Sequence, residues 1–314
     1  MSEIFSAKLL KEEFAKYKLL LPLLQIPDIP KELYFKAKEK KVFNDFLNKS
    51  FKNREYKILT IVGSRRNSNY GKDCLEYLLK NLKDYPIIIV SGLAFGIDSL
   101  AHQEAFKNIW PTISIPGSGL SFERLYPSQN VSLAKEILEE DGLLLSEWED
   151  QTKSELFFFP RRNRIMAALS DAILNVEAGE KSGTLITARL GMEYGKNVGV
   201  IPNHIFAEAS LGSNELIKNG AAPITKFEDI LEMLNLPKAS VQKNIFEKID
   251  FNFSKNEKTI LENISIEGQI EKETLIKKLE AEDNLSYTDI VVALMQLEIN
   301  GLIKEELGEI RLQR

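Results

Sequence analysis

The sequence contains one cysteine, two histidines and no long apolar run, and each shortage excludes a class of protein. Cys74 is the single cysteine among 314 residues, so an intramolecular disulfide framework is excluded. With His102 and His204 as the only histidines, a structural zinc site is nearly excluded. His102 falls inside a predicted helix, where a structural role is the expected one. No stretch approaches the roughly 18 apolar residues of a membrane helix, so we expect no membrane contact.

The first residues mix charges where a secretory signal needs an uninterrupted apolar segment. Glu3, Lys8 and Lys11 already interrupt it, and we therefore expect a cytoplasmic protein. Hydrophobic residues make up 44% of the chain and charged residues 28%. That composition is ordinary for a globular protein and can bury a large core, which excludes wholesale disorder.

Charge is distributed unevenly along the chain. Residues 1–57 carry 13 basic and 8 acidic side chains, residues 58–249 carry 20 and 24, and residues 250–314 carry 8 and 14. The total is −5. A mildly acidic protein binds nucleic acid only through a local basic cleft. The C-terminal segment, with a net charge of −6, is a poor candidate for phosphate contact.

The pattern of apolar residues predicts four segments. Residues 1–57 are interpreted as a short N-terminal helical extension that is interrupted by three prolines. Within residues 58–236, short apolar runs alternate with helical patterns, which predicts an α/β fold with a doubly wound, mostly parallel sheet. Residues 237–256 are predicted to be a linker. Residues 257–314 have three helical patterns and a hairpin, which predict a small C-terminal winged-helix domain.

Ligands of an open parallel sheet bind beyond the carboxyl ends of its strands. The predicted strands are Ile58–Val62, Ile87–Val90, Thr112–Ile115, Leu143–Ser146, Ala172–Val176 and Val198–Ile201, with a last short strand at Ile224–Lys226. The loops that follow them are therefore the candidate binding elements.

The loop after the first of these strands has the composition of a phosphate site. Gly63 lets the backbone turn sharply, and the Ser64 hydroxyl and nearby amides can meet a phosphate. Arg65 can grip the same group with its planar fork, and Arg66 follows it. The alternative is a plain strand–helix turn with solvated arginines.

Two other loops could also accept an anion. Gly92 and Gly96 follow the second strand, where they could bind an anion or only hold the loop. The residues after the fifth strand form a helix N-terminus that is suited to an anion or that serves only as a cap: Ser182, Gly183 and Thr184.

The strongest signal is residues 156–164, which combine three phenylalanines with three arginines. Aromatic faces can stack unpaired bases while arginines hold the backbone, a combination that favours single-stranded nucleic acid. The alternative is that the phenylalanines belong to the core, and we expect at least one of them there. The candidate contacts are Phe159, Arg161, Arg162, Asn163 and Arg164.

Together these residues resemble the DNA-processing protein A family, also called Smf, over roughly residues 21–236. The motifs that carry the resemblance are Ile61-Val-Gly-Ser-Arg65, Val90-Ser-Gly-Leu-Ala94 with Gly96-Ile-Asp98, Leu145-Ser-Glu147, Phe159-Pro160 with Arg162-Asn-Arg164, and Ser182-Gly-Thr-Leu-Ile-Thr-Ala-Arg189. Phe95 stands where an arginine is usual in the family, and Asn203 where glycine is usual.

The resemblance implies an extended Rossmann-like core that forms a homodimer and binds single-stranded DNA. It further implies that the protein loads the RecA recombinase onto this DNA during natural transformation, with no catalytic reaction and no cofactor. The family's DNA pocket uses an arginine, an aromatic residue and a lysine at positions that match Arg65, Phe159 and Lys196. From its position alone, Lys196 would be a solvated lysine before the sixth strand.

Two other functions remain open from the sequence. A nucleotide-processing enzyme of the phosphoribohydrolase type shares the sheet, although Gly183-Thr184 lacks the preceding glycine pair and the nearby glutamate of that class. A regulator that binds duplex DNA through the winged helix would need a basic recognition face, which the net charge of −6 disfavours.

We predict that a chain ending near Leu236 keeps most of its single-strand affinity and that the acidic tail alone binds no DNA, because phosphate contacts supply most of the non-specific affinity. Affinities of the full, shortened and tail-only chains at two salt concentrations check this. A ten-fold loss on shortening, about 1.4 kcal/mol, would contradict it if the shortened chain stays folded.

Overall fold

A computed structural model describes residues 4–51, 54–237, 254–267, 269–283, 285–299, 302–306 and 308–312. The chain divides into two compact units, Met1–Ala239 and Ser240–Arg314. A nine-stranded sheet forms the centre of the first unit, and a three-stranded sheet lies in the second.

The first unit alternates strands and helices over most of its length. Its strands are β1 (Phe5–Leu10), β2 (Glu32–Ala37), β3 (Ser50–Phe51), β4 (Arg54–Glu55), β5 (Lys57–Val62), β6 (Ile87–Ser91), β7 (Thr112–Ser114), β8 (Leu143–Ser146), β9 (Ala172–Asn175), β10 (Asn197–Val200) and β11 (Ala222–Pro223). Its α-helices are α1 (Lys40–Leu47), α2 (Asn69–Lys80), α3 (Ile97–Lys107), α4 (Val131–Glu139), α5 (Phe158–Leu169), α6 (Thr184–Glu193), α7 (Leu211–Lys218) and α8 (Phe227–Met233).

The large sheet has the strand order β1-β2-β8-β7-β6-β5-β9-β10-β11. The strands from β8 to β11 are parallel to their neighbours, and β1 and β2 add an antiparallel pair at one edge. Because every crossover between parallel strands carries a helix, both faces of the sheet are covered. The predicted doubly wound, mostly parallel α/β fold is confirmed.

Alternation along the central strand β5 explains why helices cover both faces. Ile58 and Val62 point into a core shared with α5 and α6. Leu59 and Ile61 point the other way, into a core shared with α2 and α3. Successive side chains of a strand face opposite sides of the sheet, so a continuous apolar run buries both.

The helix predicted at the start of residues 1–57 was wrong, because Phe5–Leu10 is a strand. It pairs with β2, which in turn pairs with β8, so the segment extends the main sheet. Buried Leu33, Phe35 and Ala37 alternate with more exposed neighbours along β2, which is a strand period and not a helical one. The last parallel strand, β11, also lies two residues before the predicted Ile224–Lys226.

The described residues of the second unit form three helices and three short strands. These are α9 (Lys255–Glu267), β12 (Gln269–Glu271), α10 (Lys272–Glu282), α11 (Tyr287–Ile299), β13 (Ile303–Glu306) and β14 (Glu309–Leu312). The strands form an antiparallel sheet in the order β12-β14-β13. The predicted helices and hairpin are present, and the winged-helix assignment stays a prediction.

No helix in the part of the chain that the structure describes is both long and apolar enough to cross a membrane.

His102 of α3 is a buried link between that helix and β7. Its Nδ1 lies 2.7 Å from Thr112 Oγ1, and the Thr112 hydroxyl donates to the carbonyl of Ile89 at 3.1 Å. Since that hydroxyl has already given its proton, Nδ1 of His102 is the donor. Burial, helped by the charge of Arg162, lowers the pKa of His102 to about 3.

The low pKa of His102 predicts a pH-dependent stability. The unfolded chain takes up a proton near pH 6.5, whereas folded His102 does so only near its pKa of about 3. The free energy of unfolding should therefore fall as the pH drops through this window, by up to about 1.4 kcal/mol per pH unit from this group.

Urea unfolding at several pH values checks this with two variants. His102→Gln should lose this part of the slope, whereas His204→Gln, at the exposed second histidine, should keep it. Equal slopes for His102→Gln and the unsubstituted protein would contradict the assignment.

Candidate functional site

A pocket of about 700 Å³ opens where the strand order of the large sheet reverses. The chain runs from β5 outward to β8 in one direction, and then crosses to place β9 on the other side of β5. Loops that leave β5 and β9 therefore diverge and leave a crevice, which is the usual ligand position in this fold. The pocket is lined by Gly63–Arg66 after β5, by residues 181–184 at the start of α6, and by one side of α5.

Glu177 joins the two loops that form the pocket. This buried side chain follows β9 and accepts a hydrogen bond from the backbone N–H of Ser68 at 2.8 Å. Ser68 caps α2, and its hydroxyl accepts from the N–H of Gly71 at 3.1 Å. The contact holds the start of α2 against the loop after β9 and fixes the width of the crevice.

The loop after β5 brings two arginines to the mouth of the pocket. Gly63 is buried, and a Cβ there would lie 2.6 Å from the side chain of Ile97. Ser64 Oγ accepts from the N–H of Arg66 at 3.1 Å, which closes a tight turn. As a result, Arg65 and Arg66 are both exposed and both line the pocket.

Gly96, which the sequence also singled out, lies beneath this turn and not in the pocket. Its φ of 74° favours glycine, and a Cβ would collide with the carbonyl of Ser64. It also caps α3, whose first residue, Ile97, donates to the same carbonyl at 3.2 Å. Gly96 therefore sets the position of the arginine turn.

The N-terminus of α6 forms the opposite wall of the pocket. Gly183 caps the helix, and Ser182 Oγ lies 2.9 Å from Thr184 Oγ1. Asn163 of α5 donates to the carbonyl of Gly183 at 3.2 Å and holds this turn in place. The positive end of the helix dipole at this position suits an anion.

Phe159 forms an aromatic wall between the arginine turn and the end of β7. Its half-buried ring packs against Gly117, where a Cβ would lie 2.6 Å from the ring. The ring centroid is 5.4 Å from that of Tyr126, and Arg65 Cζ lies 5.6 Å from it. The contact with Arg65 is a cation–π pair, which a base could replace by stacking on the ring.

Arg162, a predicted DNA contact, lines the pocket wall, but its guanidinium is bound to carbonyls of the protein itself. Its side chain is 5% exposed, and its Nη1 donates to the carbonyls of Gly92, at 2.8 Å, and of Ile115. A Cβ on Gly92 would overlap the guanidinium, which explains the glycine. Burial lowers the pKa of Arg162 to about 10, and the nearby Asp98 carboxylate opposes this shift.

Asp98 lies in the pocket wall and is buried. Its Oδ2 accepts from the N–H groups of Gly92 and Ala94, at 3.1 and 3.4 Å. Burial raises the pKa of Asp98, while the charge of Arg162 acts in the opposite direction. This carboxyl group shapes the loop after β6, and it supplies the negative partner for the buried guanidinium.

Arg161 and Arg164 lie outside the pocket and pair with carboxylates. Arg164 is 6% exposed and makes a forked contact with Glu147, at 2.9 and 2.6 Å. It also donates to the carbonyl of Asp28 at 2.9 Å. Arg161 is 46% exposed and approaches Glu147 at 3.3 Å. These two arginines connect α5 to the loop after β8 and to the N-terminal segment.

Lys196 lies at the opposite edge of the sheet. It precedes β10, which runs parallel to β5 and β9, so it is at the amino end of strands whose carboxyl ends form the pocket. Burial lowers the pKa of Lys196, and the nearby Asp171 opposes the shift. Its predicted DNA contact would have to use a surface other than this pocket.

Several pocket residues were missing from the predicted set, namely Asp98, Met166, Lys181, Thr187 and Glu208. Lys181 directly precedes the predicted Ser182, so its position in the sequence was a usable signal. Glu208 comes from the loop between β10 and α7, which no pattern connected with the others. Within the described ranges, no group of three or more His, Cys, Asp or Glu side chains is placed to hold a metal ion.

The sequence profile of the DNA recombination-mediator protein A family matches residues 22–235. The chain belongs to this family. It is 39% identical over 182 residues to the DNA processing protein DprA of Bacillus subtilis (strain 168), a match that covers 58% of this chain and 60% of the relative. It is 40% identical over 176 residues to the protein Smf of Escherichia coli (strain K12), covering 56% and 46%. The matches thus span about half of each relative's length.

Solved structures of the family have the same fold. DNA processing protein A from Streptococcus pneumoniae superposes with a TM-score of 0.62 at 31% identity, covering 73% of this chain and 74% of that one. The Helicobacter pylori protein, described for its unique single-stranded DNA binding mode, gives a TM-score of 0.58 at 28% identity, covering 74% and 97%. The predicted resemblance and the Rossmann-like fold are confirmed.

The ion pairs of α5 predict that the loss of Arg164 destabilises the fold more than the loss of Arg161. Arg164→Met should lower the free energy of unfolding by about 3–5 kcal/mol, because it leaves Glu147, whose side chain is only 10% exposed, without its main partner. Arg161→Met should cost no more than about 1 kcal/mol, since its contacts are half exposed. Urea unfolding of both variants measures the difference, and equal losses would contradict the structural role of Arg164.

Proposed function

We propose that this protein is a single-stranded DNA-binding recombination mediator, and that its DNA site is the pocket between β5 and β9. One observation carries the proposal. At the reversal of strand order, two exposed arginines, a half-buried phenylalanine ring and a helix N-terminus face one crevice. The arginines and the helix end suit phosphate, and the ring suits a base.

The aromatic wall favours single strands over duplex DNA. A paired base in a duplex is stacked on its neighbours, and it reaches a protein ring only if it is unstacked at a cost of a few kcal/mol. An unpaired base has no such cost. The pocket volume of about 700 Å³ also suits a nucleotide and is far too small for a double helix.

The further steps of the proposed role follow from family membership. We infer that the protein loads the RecA recombinase onto the bound strand during natural transformation, and that it acts in the cytoplasm as a homodimer without catalysing a reaction. A RecA-filament assay on coated single strands tests the loading step, and a nucleotide-hydrolysis assay tests the absence of catalysis. Hydrolysis that requires the pocket arginines would favour the enzyme alternative instead.

We expect Arg65→Ala and Phe159→Ala each to weaken single-strand binding by about 1–3 kcal/mol, through loss of a charge-assisted phosphate contact and of a stacked base. Arg54→Ala is the matched control, because Arg54 is also exposed but lies before β5, at the amino edge of the sheet. Fluorescence anisotropy titrations with an oligothymidine and with a duplex of equal length, at two salt concentrations, measure these effects.

Thermal melting of the same variants separates binding from folding. Phe159→Ala with unchanged binding and a much lower melting temperature would show that this ring is only part of the core. Equal affinities for single strands and duplex at matched salt would contradict the proposed function as a whole.

A further inference from the structure

The loop between β10 and α7 carries two strongly exposed apolar side chains shortly before it reaches the pocket wall. Ile205 is 70% exposed and Phe206 is 83% exposed. The loop continues into Glu208 and Ala209, which line the pocket wall. An aromatic ring that is held in water at the margin of a binding crevice has apolar area available for a ligand that extends beyond the crevice.

Hydrogen bonds at both ends hold this loop in one shape. Tyr70 of α2 donates to the carbonyl of Pro202 at 2.8 Å. Asn214 of α7 donates to the carbonyl of Asn203 at 3.1 Å. Ser210 Oγ lies 2.6 Å from the carbonyls of both His204 and Ala207. The exposed ring is therefore presented by an anchored loop, and little conformational entropy is lost when it binds.

Phe206 is also part of an aromatic pair. Its ring centroid is 5.4 Å from that of His204, with the two planes inclined at 52°. The N–H of Phe206 donates to His204 Nδ1 at 3.3 Å, which orients the imidazole. Because the two planes are inclined, a planar base can stack on one ring at a time, and the strongly exposed Phe206 ring, with His204 beside it, is the one available.

We infer that Phe206, supported by His204, is a second base-stacking site for the single strand whose neighbouring nucleotide occupies the pocket. The inference rests on the proposed function. The strand would pass from the Arg65–Phe159 wall across the crevice to the loop between β10 and α7. Two observations assign the single strand as the ligand of this site. The loop is continuous with the pocket wall at Glu208 and Ala209, and the exposed side chain of Phe206 is aromatic.

Substitutions at Phe206 test the inference by separating stacking from general apolar contact. Phe206→Ala should weaken binding of an oligothymidine that is longer than the pocket roughly 5- to 150-fold, the range expected for one lost stack. Phe206→Trp should bind as the unsubstituted protein does, and Phe206→Leu should bind as weakly as Phe206→Ala, because leucine has no aromatic face.

Ile109→Ala is the matched control. Ile109 is 86% exposed and lies between α3 and β7, at the amino edge of the sheet, so its loss should leave binding unchanged. An oligonucleotide with abasic sites everywhere except at one central base provides a second control. The unsubstituted protein and Phe206→Ala should bind it equally, because the single base occupies the pocket and no second base is available.

The outcomes separate the inference from the proposed function. If the unsubstituted protein binds single strands, Arg65→Ala weakens this binding and Phe206→Ala does not, the second stacking site is overturned and the pocket proposal stands. If the unsubstituted protein binds no single strand, the proposed function itself fails. If Phe206→Leu binds normally, the contact is a general apolar one and the inference of stacking is overturned. If Phe206→Ala changes the sedimentation of the free protein, the side chain contacts a protein surface and the inference is overturned as well.

Discussion

The arrangement of the loops at the carboxyl edge of the sheet depends on the hydrogen bonds of the buried Arg162 guanidinium. The guanidinium joins α5 to the ends of β6 and β7 through the carbonyls of Gly92 and Ile115. The cost of burying this charge is offset by those hydrogen bonds and by the Asp98 carboxylate, which the loop after β6 holds through its own amides. With α5 fixed in this way, Phe159 and Asn163, one turn apart on the same face of the helix, both line the crevice.

The arginines and phenylalanines of residues 156–164 therefore have different structural roles. A helix turns by 100° per residue, so neighbours in sequence face different surroundings. Arg161 and Arg164, three residues apart, share one face and the same carboxylate, while Arg162 points into the core. Of the three phenylalanines, Phe158 stacks on Trp148 with their centroids 4.1 Å apart, and Phe159 faces the pocket.

The sequence predicted the parallel strands and the loops that meet at the pocket. Both depend on local patterns and on the rule that ligands bind beyond the carboxyl ends of parallel strands. The sequence did not predict which arginines would be buried. The partners of Arg164 are Glu147 and Asp28, which are distant in sequence, and no local pattern marks them. The N-terminal strands were missed for a related reason. Residues 32–37 alternate with a strand period, but their partner β8 follows about a hundred residues later.

That distance imposes an order on the formation of the protein during synthesis. β1 and β2 leave the ribosome before β8, yet the register of β2 needs Leu143, the partner of Ala37. At about 5–20 residues per second, several seconds pass before that partner exists. An isolated pair of strands is marginally stable in water, and during that interval the second edge of β2 lacks the strand with which it pairs. The pairing that attaches β1 and β2 to the main sheet thus forms only after the chain as far as β8 has been made.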